Sequence, residues 1–167
     1  MSNIPCNKCD AKCCKNYDVF VDIDDIKNFP DPSNYKIIEY DKSFGNIPNF
    51  NLWINGIKKK SVICLNNPKK VCKFLKEDKC SIYEDRPLIC RIYPHFLNNT
   101  MEDICPVKWI LNTDQKREIN KNYDKLLVNF LSLETICDEW NKIVSKKDNL
   151  NNFIIFVLNY NFKKLIL

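Results

Sequence analysis

The chain has 167 residues, a formal net charge of +5, 45% hydrophobic and 28% charged residues, and ten cysteines. That length buries a core without help from cross-links, and the composition is globular rather than disordered or fibrous. With only Gly45 and Gly56 there is no glycine-rich phosphate cradle, with only His95 there is no multi-histidine metal site, and the longest apolar run, Phe153–Leu158, is far short of a membrane span.

The segment CNKCDAKCC, residues 6–14, sets four cysteines within nine positions. A disulfide knot, a thiol redox centre and a set of metal ligands all use such density. The first ten residues, MSNIPCNKCD, show no apolar h-region, so the expected compartment is the cytoplasm. A reducing cytosol keeps thiols free, which favours ligation or catalysis over disulfides. This knuckle, residues 5–16, is too poor in apolar residues to predict a regular element.

YDVFVD (17–22) alternates enough to predict a short strand. Asp22 or Asp24 then caps a short helix through Asn28, ended by Pro30 and Pro32. YKIIEYD (35–41) and NFNLWI (49–54) are strand-like, and Asn55–Gly56 before IKKKSVICL predicts a type I′ hairpin. Residues 66–105 read as irregular chain with short helices, Ser81 capping one turn over IYED and Pro87 opening another over LICRIY.

From Asn112 the pattern is helical. Thr113 or Asp114 caps a segment with Ile119, Tyr123, Leu126, Leu127 and Phe130 at helical spacing, and Ser132 caps the next, with Ile136, Trp140 and Ile143 on one stripe. A last helix covers Asn149 to Tyr160. The predicted architecture is a single α+β domain. Its cysteine-rich part (5–106) is small and irregular, with short strands and a hairpin and a metal staple, and a helical C-terminal part (112–167) follows.

The first cysteine group is Cys6, Cys9, Cys13 and Cys14; the second is Cys72, Cys80, Cys90 and Cys105. A CxxC turn aims two sulfurs at one tetrahedral ion, but it also serves redox proteins. Thioredoxin context is missing, since no strand precedes the motif and no long apolar helix follows it. Four cysteines at each end allow two tetrathiolate sites or one larger cluster, and buried, inert packing is the plain alternative. Eight thiolates on two Zn²⁺ would remove four charges and leave a net charge of about +1, which accounts for much of the basic excess. Adjacent Cys13 and Cys14 are not expected to point easily at one tetrahedral ion, which favours two centres or a sulfide-bridged cluster. Cys64 and Cys137 fall outside both groups and read as core. His95 reads as an ordinary histidine that could replace one thiolate.

Lysine is the default cation, yet two of the three arginines, Arg86 and Arg91, bracket PLIC. A guanidinium there could pair Glu84 or Asp85, or donate to ligand sulfurs. Lys58–Lys60 and Lys69–Lys70 could meet phosphates, but the aromatic interleaving of an RNA module is missing, so nucleic acid is not the expected partner. A protein partner stays open, and no membrane is expected. Trp53, Trp109 and Trp140 read as core.

CNKCDAKCC followed by CKFLKEDKCSIYEDRPLICRIYP resembles the YkgJ-type cysteine-cluster family, also named for its CxxCxxCC pattern and its zinc or iron chelation. The likeness covers roughly residues 5–106, with three residues rather than two between Cys9 and Cys13. It implies metal chelation by Cys6, Cys9, Cys13, Cys14, Cys72, Cys80, Cys90 and Cys105, with an iron–sulfur cluster ([4Fe–4S]) or Zn²⁺ as cofactor. The larger flagellin lysine N-methylases are similar over this domain, which raises group transfer as an alternative. Glu84, Asp85, Tyr83 and Tyr93 are the candidates for such chemistry. A thiol redox protein is the remaining alternative, and a binding protein is expected ahead of an enzyme.

Overall fold

The computed structural model describes residues 11–42, 48–67, 71–96, 99–100, 105 and 111–161. The fold is α+β: small sheets of short strands come first, a long helix and a further helix last. Helices α1 (Lys12–Asn16), α2 (Ile23–Asn28) and α3 (Leu88–Ile92) are short; α4 (Thr113–Ile143) and α5 (Leu150–Asn159) carry the C-terminal part. Strands β1 (Tyr35–Glu39), β2 (Phe50–Ile54) and β3 (Ile57–Leu65) form one sheet in the order β1-β3-β2. Strands β4 (Leu75–Lys76) and β5 (Lys79–Cys80) form a second, and β6 (His95–Phe96) and β7 (Asn99–Thr100) a third. Among the described residues no helix is long and apolar enough to cross a membrane.

The chain forms two compact units, one from residues 22–64 and 128–167, the other from 1–21 and 65–127. In the first, Asp22 caps α2 by accepting from the backbone N–H of Asp24 and Asp25, and Asp25 returns the bond to the Asp22 N–H. This is the reciprocal box expected of an Asp followed three residues later by an acid. Buried Tyr35 opens β1 and donates its hydroxyl to the Phe29 carbonyl at 2.7 Å, fixing the chain that leaves α2. β2 and β3 pair antiparallel, Phe50 with Ser61 through Ile54 with Ile57. Asn55 (φ 51°) and Gly56 (φ 77°) turn between them, both left-handed as a type I′ hairpin requires. A Cβ at Gly56 would meet only Lys146 at 3.6 Å, so space is not the constraint. Gly56→Ala is therefore expected to cost about 1–2 kcal/mol through backbone strain alone, read as a shift of the urea midpoint.

β2 is an edge strand, and the end of α4 closes that edge. Asn141 Oδ1 accepts the Trp53 N–H at 2.9 Å, Trp140 Nε1 donates to the Trp53 carbonyl at 2.8 Å, and Asn141 Nδ2 donates to the Asn51 carbonyl. The ladder groups that would recruit a foreign strand are thereby paired. Around this lies the core of the unit, including Ile26, Leu52, Val62, Ile63, Leu133, Ile136, Phe153 and Ile154. The Trp140 ring stands edge-on to Phe153 at 5.5 Å. α5 packs against α2, started by a capping box between Asn149 and Asn152.

Several sequence expectations change. YDVFVD is not a strand: Phe20 makes a single bridge, and the neighbouring Val19 carbonyl accepts the Leu65 N–H at 2.9 Å. Residues 12–16 form the one-turn helix α1 despite their polarity. Residues 81–85 form turns rather than a helix, because the Ser81 hydroxyl donates back to the Phe74 carbonyl at 2.9 Å instead of capping forward. Ser132 starts no helix. Its hydroxyl donates to the Val128 carbonyl one turn back, a mid-helix habit of serine, and no glycine or proline interrupts Thr113–Ile143. The N-terminus of α4 is held by Asn112, which exchanges bonds with Gln115, rather than by Thr113 or Asp114. Cys64 and Cys137 are buried as expected, and so is Trp140, whereas Trp53 is half-buried at the covered edge and Trp109 lies outside the described residues.

Candidate metal centre

The cysteine-bearing elements of the second unit are tied together by backbone bonds before any side chain acts. The Cys72 N–H donates to the Cys14 carbonyl at 2.7 Å, bringing the two cysteine groups of the sequence side by side. The Leu75 N–H then closes a turn onto the Cys72 carbonyl, and β4 leads into a tight reversal with both Glu77 (φ 47°) and Asp78 (φ 59°) left-handed. That hairpin sets Cys80 opposite Leu75 and so returns it to the neighbourhood of Cys72. An exposed ion pair between Lys15 and Asp78 at 2.6 Å links α1 to the hairpin tip, a contact worth little by itself.

Within α1 the Sγ atoms of Cys13 and Cys14 lie 3.9 Å apart. Two sulfurs bound at about 2.3 Å to one tetrahedral ion stand about 3.8 Å apart, so the adjacent pair already has the spacing of one tetrahedral edge. Adjacency does not force the two side chains apart, contrary to the expectation from sequence.

The Cys14 thiol meets Cys72 as well as Cys13. Hydrogen bonding from Cys14 lowers Cys72 to about 6 and Cys13 to about 7, against the opposing cost of burial. Cys14 itself is pushed well up, first by its bond to Cys13 and then by its bond to Cys72. Cys80 is raised mainly by burial, while the positive charge of Arg86 pulls the other way. The four sulfurs thus feel one another, but as a chain of contacts. Among the described residues no three Cys, His, Asp or Glu side chains converge as a ready-made metal cage.

Cys90 stands on α3, its N–H bonded to the Pro87 carbonyl at 2.9 Å, and is half-buried, as is Cys105. Cys6 and Cys9 lie outside the described residues. His95 opens β6, its backbone paired with Thr100. Glu84 and Asp85 are exposed loop residues.

The arginines are used differently from a carboxylate pairing. Arg91 donates Nε to the Arg86 carbonyl at 2.8 Å and Nη2 to the Glu84 carbonyl at 2.7 Å, so it folds the PLIC segment around itself. Arg86 donates Nη1 to the Tyr83 carbonyl and stacks 3.9 Å from the centre of the Tyr83 ring. Its Nε is buried with no hydrogen-bond partner among the described residues. An unspent cationic donor beside Cys80 suits a thiolate, and soft, partly ionised sulfurs are the donor set that zinc or iron takes. The donor chemistry of these residues suits such a metal, although among the described residues no three donors converge on one point.

A family model described as "Putative zinc- or iron-chelating domain", headed CxxCxxCC, matches residues 5–121. The chain belongs to the CxxCxxCC family. No curated protein and no solved structure matches it. The CxxCxxCC match reaches past both cysteine groups into the first turns of α4, and it accounts for the irregular, cysteine-dense half of the chain as a chelating domain. The group-transfer and redox alternatives receive no support from these comparisons. Asn67, buried beside the Cys72 loop, is a residue that the sequence reading missed. It sits in the asparagine-rich stretch LNNPKK, where nothing marks one asparagine from its neighbour.

Proposed function

We propose that this protein is a metal-thiolate binding protein. In it Cys13, Cys14, Cys72 and Cys80, together with Cys6 and Cys9 upstream and Cys90 and Cys105 downstream, supply the ligands for zinc or iron. The observation that carries this is the run of sulfur contacts from Cys13 through Cys14 to Cys72, held by the Cys72-to-Cys14 backbone bond. Three thiols gathered where Cys72 is almost fully buried are poor packing for a free-cysteine core but good ligands once deprotonated.

The 3.9 Å separation of Cys13 and Cys14 supports a tetrahedral ion shared by both sulfurs over a [4Fe–4S] cluster, whose cysteines each take a different iron and stand farther apart. A bound ion supplies a cross-link between α1, the Cys72 loop and the β4–β5 hairpin, and therefore folding free energy. The chain's own part is to deliver thiolates and to compensate their charge with Arg86. The role is binding, in the cytoplasm, with no reaction assigned.

The test is metal and acid-labile sulfide analysis of protein purified without oxygen. Zinc or iron with no sulfide is the expected result. Iron with equimolar sulfide and absorbance around 400 nm would replace mononuclear tetrahedral ions by a cluster. Absence of metal with all ten thiols freely titrating would sink the reading.

A further inference from the structure

The Cys72 N–H donates to the Cys14 carbonyl at 2.7 Å, and the Cys14 thiol meets the Cys72 thiol. With standard bond lengths, that backbone bond keeps the two Cα atoms within about 6.6 Å of each other, whatever its angle. Disulfides span Cα separations of about 4.4–6.8 Å, so side-chain torsions alone bring these two sulfurs to bonding distance. Both are thiols here, Cys14 half-buried and Cys72 8% exposed.

Cys13 is the competing partner of Cys14, with its Sγ 3.9 Å away. A disulfide between adjacent residues closes an eight-membered ring across their own peptide bond and strains it out of plane. In α1 that peptide is also held in helical geometry, by the Lys15-to-Ala11 and Tyr17-to-Cys13 backbone bonds. Cys72 meets Cys14 from another segment of the chain, so joining them needs no such distortion. We propose that Cys14 and Cys72 are the redox switch of the metal site, joined by a hydroperoxide into a disulfide that withdraws both sulfurs from the ion. This rests on the metal-thiolate reading above. The more accessible Cys14 sulfur attacks the terminal peroxide oxygen, the O–O bond breaks, and the alcohol or water leaves with a proton. The Cys72 sulfur then attacks the sulfenic sulfur of Cys14, forming the S–S bond and expelling the hydroxyl as water. The two sulfurs give up two electrons and the peroxide takes them. The covalent bond ties α1 to the Cys72 loop where the ion would, so metal leaves without separating the two segments.

The experiment takes the full chain, reduced and loaded with Zn²⁺, and adds hydrogen peroxide in small excess. Released zinc is read with a chromogenic chelator, and the disulfide is located by alkylation and peptide mass mapping. The metal-free chain is treated in parallel. Zinc release in step with the loss of two of the ten thiols is expected, with a Cys14–Cys72 linkage in both samples. Dithiothreitol should then restore zinc uptake. Zinc released with Cys14 or Cys72 paired elsewhere, or with both recovered as alkylated thiols, would overturn the switch and leave the metal site standing. A chain that takes up no zinc yet forms the Cys14–Cys72 linkage would overturn the metal-thiolate reading, and with it the release of metal, while the pairing stands.

Discussion

Replacing Cys72 by serine is expected to cost more than a hundredfold in metal affinity, with a parallel loss of stability confined to the metal-loaded form. Cys72 is the hinge of the cysteine cluster: its N–H holds Cys14, its thiol meets the Cys14 thiol, and the β4–β5 hairpin leaves from its carbonyl. A hydroxyl is a poor ligand for zinc or iron next to a thiolate. Structural zinc sites are worth about 10–16 kcal/mol at neutral pH, so one ligand of four represents roughly 2.5–4 kcal/mol. The backbone bonds survive the substitution, so metal-free Cys72→Ser should unfold close to the metal-free parent. Cys137→Ser is the contrast. Cys137 is 1% exposed inside α4, and its thiol is pushed up by burial, as befits an inert core group. That change should leave metal affinity untouched while costing about 1–3 kcal/mol in either form, because a hydroxyl replaces an apolar contact. Chelator competition and urea unfolding, each with and without metal, separate the two patterns. A Cys72→Ser chain that keeps parental affinity would remove Cys72 from the ligand set.

What the sequence made legible follows from whether the signal was local. Asp22, Asn55–Gly56, Pro87 and Asn149 act through their own backbone neighbours, and each stands where local chemistry put it. The same logic failed where a side chain had two local options. Ser132 and Ser81 are good caps on paper, but one bonds back along a continuous helix and the other to a turn residue seven positions earlier. YDVFVD has a strand's alternation, yet beyond the bond at Val19 it lacks a partner long enough for a ladder.

The site shows the same division. Cysteine identity and spacing were enough to place the chain in the CxxCxxCC family. They did not show that the Cys72 N–H reaches the Cys14 carbonyl, that α1 sets two adjacent sulfurs 3.9 Å apart, or that Arg86 and Asn67 each bury a spare donor. Those depend on contacts between residues about 60 positions apart in sequence, or on the torsion of a five-residue helix, and no pattern of residue types encodes them. Arginine scarcity did flag Arg86, because a costly exception to lysine usage needs a geometric reason. Asn67 carried no such flag in a chain rich in asparagine.

The second large effect lies away from the cysteines. Asp22 is fully buried, with Oδ1 accepting from Asp24 N at 2.8 Å and Asp25 N at 3.0 Å, and Oδ2 accepting from Asn129 Nδ2 of α4 at 3.1 Å. Asp22→Ala removes a helix cap, worth about 0.5–2 kcal/mol, and strands the buried Asn129 amide, at about 1–3 kcal/mol. A loss of roughly 2–5 kcal/mol is expected, a large share of the 5–15 kcal/mol that holds a typical domain. Asp22→Asn should behave otherwise, since asparagine caps as well and its amide can pair with a flipped Asn129. Burial raises the Asp22 carboxyl above its ordinary 3.8, and the charge of Asp24 adds to this, while the Asp25 N–H and the Asn129 amide pull it down. The folded state therefore holds this proton more tightly than the unfolded chain does. The stabilisation it brings is complete below the ordinary carboxylate range and is lost as pH rises through the raised value. The amide carries no such dependence, so the stability of Asp22→Asn relative to the parent should rise between pH 4 and pH 7. Urea unfolding of the three chains at both pH values decides it. A relative stability that falls over that interval would mean that the hydrogen bonds to the ionised carboxylate outweigh its burial.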